Sequence, residues 1–197
     1  MAARTAIMSE RTELDGHSLT TIELDPDRLD WHELHSLVTA AYAYMHGRID
    51  PPSSLLTMTP SDFEQKAADE HLIVARRDGR LAGCVFCVPD ESWLYIGKFA
   101  VAPGLQRSGV GRLLIDAARR LAEETGLVGL ELDTRIELTE NHRAFGRLGF
   151  VEVAKRSHPG YTKVTCIRMR SLLGPTLGST PRSVVTEDDR SESPQQQ

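Results

Sequence analysis

Apolar residues recur along this chain with two periods, and the switches between them lay out its elements. Thr20-Thr21-Ile22-Glu23-Leu24 reads as an opening strand. Asp30 then caps a helix in which Trp31, Leu34, Val38, Ala41, Tyr42 and Met45 share one face, with Glu33 placed to close a capping box and Gly47 near the end. The paired prolines of Ile49-Asp50-Pro51-Pro52-Ser53-Ser54-Leu55 exclude a regular helix or a central strand, so this stretch is a loop. A second helix is predicted over 60–69, opened by Thr59 with Pro60 at its first position and Asp62 in its first turn.

Two apolar runs, 71–76 and 81–88, flank Asp78-Gly79, a dipeptide typical of tight hairpins, and are expected to be antiparallel neighbours. Residues 93–101 form a long strand interrupted by Gly97, a residue that inside a strand marks a bulge or a close backbone approach. After Pro103-Gly104, a helical stripe of Val110, Leu113, Leu114, Ala117, Ala118 and Leu121 runs until Gly126. Next come a strand over 127–134, a short helix over 140–148 stopped by Gly149, and strands over 150–154 and 164–169. This order is not a clean βαβ alternation. It predicts an α/β (α+β mixed) fold with a mixed, mostly antiparallel central sheet of about six or seven strands and helices on both faces.

Residues 1–18 are polar and unpatterned, and 174–197 are rich in Pro, Ser and charge, so both are expected to be disordered tails around one domain over 19–173. The length of 197 residues supports a single hydrophobic core. A formal net charge of -5 argues against nucleic acid as a partner. No run approaches the roughly 20 apolar residues of a membrane helix, and no basic start precedes an apolar run, which makes the cytoplasm the expected compartment. Three cysteines do not form a disulfide framework; Cys84 and Cys87 sit in an apolar strand, where they point to opposite faces and are expected to pack rather than bind metal.

Gln106-Arg107-Ser108-Gly109-Val110-Gly111 lies between a strand and the helix it opens. Two glycines let backbone approach a ligand, while the first helical turn offers unsatisfied N–H groups and the positive end of the dipole, together a site for pyrophosphate. Arg107 and Arg112 can add charge-assisted contacts. A tight turn with no ligand is the bland alternative. No Gly-Lys-Ser/Thr is present, and Leu114 stands where a dinucleotide fingerprint has its third glycine, so coenzyme A is the remaining common reading.

The stretch Lys98-Phe99-Ala100-Val101-Ala102-Pro103-Gly104-Leu105-Gln106-Arg107-Ser108-Gly109-Val110-Gly111-Arg112-Leu113-Leu114 resembles the pyrophosphate-binding segment of the GNAT superfamily of N-acetyltransferases, with its Gln/Arg-x-x-Gly-x-Gly/Ala hallmark. Glu140-Asn141, leading through Phe145 to Arg147-Leu148-Gly149-Phe150, resembles a second feature of that family. The resemblance covers roughly residues 20 to 170 and implies transfer of acetyl from acetyl-CoA, as co-substrate and without a metal, to an amine on a small molecule or protein, by direct attack on the thioester. It implies that backbone of Phe99, Ala100 and Val101 holds the pantetheine arm. Gln106, Arg107, Ser108, Gly109, Val110, Gly111 and Arg112 would hold the pyrophosphate, with Asn141 and Phe145 near the thioester. A strand N–H would polarise the carbonyl oxygen.

Two departures stand out. Many relatives carry a tyrosine where this chain has Phe145, and many carry a glutamate base in the strand that here reads Tyr95-Ile96-Gly97-Lys98-Phe99. Either another group such as Tyr161 serves as the acid, or the thiolate leaves without one, as the low pKa of a thiol permits. His158 is the leading candidate base, histidine having a suitable ordinary pKa, with Glu91, Asp133 and His142 behind it. Glu131 and Asp133 alternate along one strand face and are expected to be solvated, and His142 to lie on the surface. The Pro51-Pro52-Ser53-Ser54 loop either shapes acceptor specificity or is a rigid connector. A catalytically impaired acyl-CoA-binding sensor or interaction module is the alternative function. Oligomeric state is open, a homodimer being one option.

Overall fold

A computed structural model describes residues 10–14 and 18–174. Eight strands form one sheet: β1 (Glu10–Leu14), β2 (Ser18–Leu24), β3 (His71–Arg77), β4 (Arg80–Asp90), β5 (Trp93–Val101), β6 (Gly129–Arg135), β7 (Val151–Arg156) and β8 (Cys166–Leu172). Their order is β1-β2-β3-β4-β5-β6-β8-β7, and β5 with β6 is the parallel pair in an otherwise antiparallel sheet. Four α-helices accompany it: α1 (Trp31–Tyr42), α2 (Pro60–Asp69), α3 (Val110–Glu124) and α4 (Thr139–Arg147). The mixed, mostly antiparallel sheet expected from the element order is what the chain forms.

The strand count rises to eight because β1 lies in a stretch expected to be a tail. Its sequence, Glu-Arg-Thr-Glu-Leu, has no apolar alternation, and what places it is backbone pairing with β2, from Glu10 opposite Ile22 to Leu14 opposite Ser18. An edge strand needs little more than that ladder. The rest of the expected tails, 1–9, 15–17 and 175–197, lies outside the described residues.

Each strand feeds two cores because its side chains alternate. Leu72, Val74, Cys84 and Phe86 face Leu34, Val38 and Phe63 of α1 and α2. Their neighbours Ile73, Ala75, Val85 and Cys87 face Val110, Leu114, Ile115 and Ala118 of α3. Cys84 and Cys87 are therefore buried, free and on opposite faces, and burial pushes the Cys84 thiol up to about 12.

The helix starts follow their caps. Asp30 accepts from the backbone N–H of His32 and Glu33. Glu33 does not complete a capping box, because its carboxylate instead accepts from Leu81 N at 3.4 Å, bracing α1 against β4. At α2 the reciprocal box does form between Thr59 and Asp62, a device worth about 1 kcal/mol.

Two features of β5 shape the middle of the sheet. Opposite β4, Cys84 pairs with Ala100 and Phe86 with Gly97, so Lys98 and Phe99 together face Val85 in a bulge. Lys98 takes the left-handed conformation there, at φ 48°. The bulge resets the alternation: Ile96 and Phe99 both pack on the α3 side, while Ala100 joins the α1 side. The second feature is that β5 meets β6 only from Trp93 to Tyr95, opposite Gly129 to Glu131.

Candidate active site

Beyond Tyr95 the parallel strands part, and a cleft of about 1800 Å³ fills the opening. One end is the start of α3. Gly109 caps it at φ 92° with no side-chain cap, Arg107 precedes it at φ 70°, and the Ser108 hydroxyl donates to Leu105 O at 2.6 Å. First-turn N–H groups that no side chain satisfies are thus left at the head of the helix dipole. A Cβ at Gly111 would stand 3.3 Å from the Phe99 ring, close enough that the ring would have to give way. Gln106, Arg107, Gly109, Gly111 and Arg112 line the cleft. Ser108 and Val110 do not, Val110 being wholly buried in the core, and Ala100 points its side chain away toward α1.

Phe99, Phe145 and Phe150 form an aromatic row with ring centroids 5.7 Å apart at each step, which ties β5 to the last turn of α4 and to the residue just before β7. Beside it, Asn141 pairs with Tyr44, its Nδ2 2.9 Å from the phenol oxygen. Burial raises the Tyr44 pKa, so the phenol keeps its proton through neutral pH. Tyr42 donates to Phe99 O at 3.2 Å, and Tyr95 also lines the cleft, burial pushing its phenol up to about 12. No local motif marks these three tyrosines. Their relevance comes from α1 and β5 lying side by side, although the helical spacing did place Tyr42 on the inward face.

The expected proton-handling residues fare differently. His158 lines the cleft, and burial, with the Arg135 guanidinium second, holds its pKa below the usual histidine value. Its Nδ1 lies 2.6 Å from Thr165 Oγ1 and 3.3 Å from Arg135 Nη1. Arginine can only donate, so Nδ1 serves as the acceptor and the ring proton sits at Nε2. Tyr161 is apart from the cleft and donates to Asp50 at 3.1 Å. Glu91 is an exposed turn residue. His142 is not a free surface group: its Nε2 meets Arg135 O at 2.8 Å.

Glu131 is not solvated, contrary to the expectation from its alternation with Asp133, which is itself only half-buried. Glu131 is 2% exposed. The β6–β8 register sets Glu131 opposite Arg170 and Asp133 opposite Arg168. Arg168 then bridges both carboxylates, at 2.6 Å to Glu131 and 2.8 Å to Asp133, and Arg170 reaches Glu131 at 2.6 Å. A buried Glu131 and a half-buried Asp133 are tolerated once their partners stand across the strand. Asp133 thus lines the cleft already engaged.

The roof of the far end is the loop after α1. Arg135 Nη2 donates to Pro51 O at 2.7 Å, and Lys98 Nζ donates to Ser54 Oγ at 3.0 Å. The proline loop is therefore held over the cleft by β6 and β5, and Ser53 and Ser54 line it. Among the described residues no group of His, Cys, Asp and Glu could hold a metal ion, and no helix is long and apolar enough to cross a membrane.

No curated protein matches the chain. Among solved structures it resembles Ard1 from Thermoplasma volcanium at 19% identity, covering 78% of this chain and 97% of that one with a TM-score of 0.60. A GNAT family acetyltransferase from Elizabethkingia anophelis with acetyl-CoA bound is similar at 19% identity, 78% and 98% coverage and a TM-score of 0.59. Of two further acetyltransferases, one of them nourseothricin acetyltransferase at 26% identity, the chain spans 62% and 66% of the length, with a TM-score of 0.49 in both. Ard1 and the Elizabethkingia enzyme share the fold described above. The acetyltransferase (GNAT) family profile matches residues 21–150. The chain belongs to the GNAT acetyltransferase family.

Proposed function

We propose that this chain moves an acetyl group from acetyl-CoA to the nitrogen of an amine acceptor. The observation that carries the reading is the opening between β5 and β6, placed against an uncapped helix start flanked by Arg107 and Arg112. The N–H groups of Ser108 and Arg112 already donate to Leu105 O and Gly109 O, so those of Arg107, Gly109, Val110 and Gly111 are the donors for the pyrophosphate, and the arginines supply charge. The edge of β5 freed from β6 leaves backbone at Phe99 and Val101 for the pantetheine arm.

The acceptor nitrogen attacks the thioester carbonyl, the C–S bond breaks, and the coenzyme leaves as a thiolate that takes up a proton. The amine loses one. Holding both substrates in one cleft supplies much of the rate. Phe145 has no proton to give, and Tyr161 is occupied at Asp50. Tyr44, paired with Asn141, is the phenol at the thioester end, and we assign it the role of acid. His158, with its proton at Nε2, would meet the acceptor as a donor. A base role would need the opposite tautomer, with Nδ1–H donating to Thr165.

Calorimetry with acetyl-CoA and a thiol-release assay over an amine panel test the reading. Binding weakened by Gly109→Asp, with release dependent on an amine, supports it, and absence of acetyl-CoA binding ends it. Tight binding with no turnover of any amine would instead indicate a sensor.

A further inference from the structure

The far end of the cleft is cationic although the chain carries a net charge of -5. Each carboxylate lining the cleft already has a cation: Glu70 has Lys66, Asp133 has Arg168, and Glu140 has Arg48. Lys98 is in the reverse position. It stands partly buried on the β5 bulge, and the one hydrogen-bond partner of its ammonium among the described residues is the Ser54 hydroxyl. Burial, with Lys66 nearby, lowers its pKa against the opposing pull of Glu70, the carboxylate that Lys66 already engages. Arg135 and Arg156 line the same end, and neither is bonded to a carboxylate among the described residues.

The donors are set for two oxygens. Ser54 accepts from Lys98 and so keeps its own hydroxyl proton to give, while Lys98 has two further N–H bonds free. We propose that Lys98 and Ser54 form a two-donor cradle for a carboxylate, and that the acceptor is accordingly an amine that also carries a carboxylate group, as an amino acid does. A polycationic acceptor is disfavoured on the same grounds, since its second ammonium would meet Lys98 and Arg135 with no free carboxylate to receive it. The acceptor class rests on the acetyl-transfer reading, whereas the anion cradle does not.

The test compares matched acceptors, amino acids against their primary amides, by thiol release from acetyl-CoA. The acid form is expected to be preferred by about tenfold to a hundredfold in kcat/KM, mostly through KM, on the scale of one charge-assisted contact. Lys98→Met should erase the preference, Lys98→Arg should retain much of it, and Ser54→Ala should reduce it. Equal use of acid and amide overturns the proposal. So does a preference that survives in Lys98→Met, or a Lys98→Arg variant that loses kcat with KM unchanged, which would make Lys98 a base.

Titration of N-acetyl amino acids and their amides into the full chain gives a readout that needs no turnover. Binding of the carboxylates alone, lost in Lys98→Met and weakened in Ser54→Ala, supports the cradle, and its absence across the panel overturns it. A chain that binds these carboxylates but not acetyl-CoA would sink the transfer reading and leave the cradle standing. A chain that binds acetyl-CoA but no carboxylate would do the opposite.

Discussion

The two ends of the cleft are built on different plans. The α3 end comes from one continuous stretch, residues 99–112, and works mainly through backbone: an uncapped helix start, a glycine at φ 92°, and a second glycine that clears the Phe99 ring. The far end is assembled from side chains that are distant in sequence. Tyr44 meets Asn141, Lys98 meets Ser54, and Arg135 meets both Pro51 and His158. A site made of backbone tolerates side-chain drift and keeps a fixed ligand, whereas a site made of scattered side chains can be retuned one residue at a time. That division suits a shared coenzyme and a variable acceptor.

The largest expected effect lies beneath the far end. Arg168→Met strands the carboxylates of Glu131 and Asp133 with too few partners, and should cost about 3–5 kcal/mol of stability, read by chemical denaturation. An unchanged midpoint would mean that the network contributes nothing. At the other end, Gly109→Asp places a carboxylate and a left-handed strain at the anion site, and acetyl-CoA affinity should fall about a hundredfold or more by calorimetry. Gly109→Ala, with the strain alone, should fall less.

Tyr44→Phe sharpens the contrast, because it touches the acid and leaves the helix start alone. kcat should fall about a hundredfold with acetyl-CoA affinity unchanged, a loss at the low end of general acid catalysis. The smallest effect concerns His158. With its folded pKa below the ordinary 6.5, the ring stays neutral from neutral pH down past that value and gains charge only below it. The acid limb of kcat/KM attributable to His158, identified by its absence in His158→Gln, should therefore lie below 6.5; a limb above that value contradicts the arrangement with Arg135.

What was legible follows the same division. The hairpin at Asp78-Gly79, the Asp30 and Thr59 caps and the α3 stripe were all readable because each depends on neighbours within a turn or a strand. Gly97 pointed to a bulge, which the structure places one residue later, at Lys98. The edge strand β1 escaped notice because backbone pairing leaves no mark on an apolar pattern. Glu131 looked like a solvated face for a related reason: strand periodicity says which face a residue occupies, but only the partner strand says whether a counterion waits there.

Local propensity, alternation and backbone sterics act over a few residues, so the elements from β2 onward, the helices on both faces and the glycine-opened start of α3 could be read from the chain alone. Only the tertiary structure decided where β5 and β6 part, which tyrosine reaches Asn141, and that Lys98 is turned toward the proline loop. Those outcomes depend on strand register and on contacts between segments dozens of residues apart, and neither is encoded in the spacing of any one stretch.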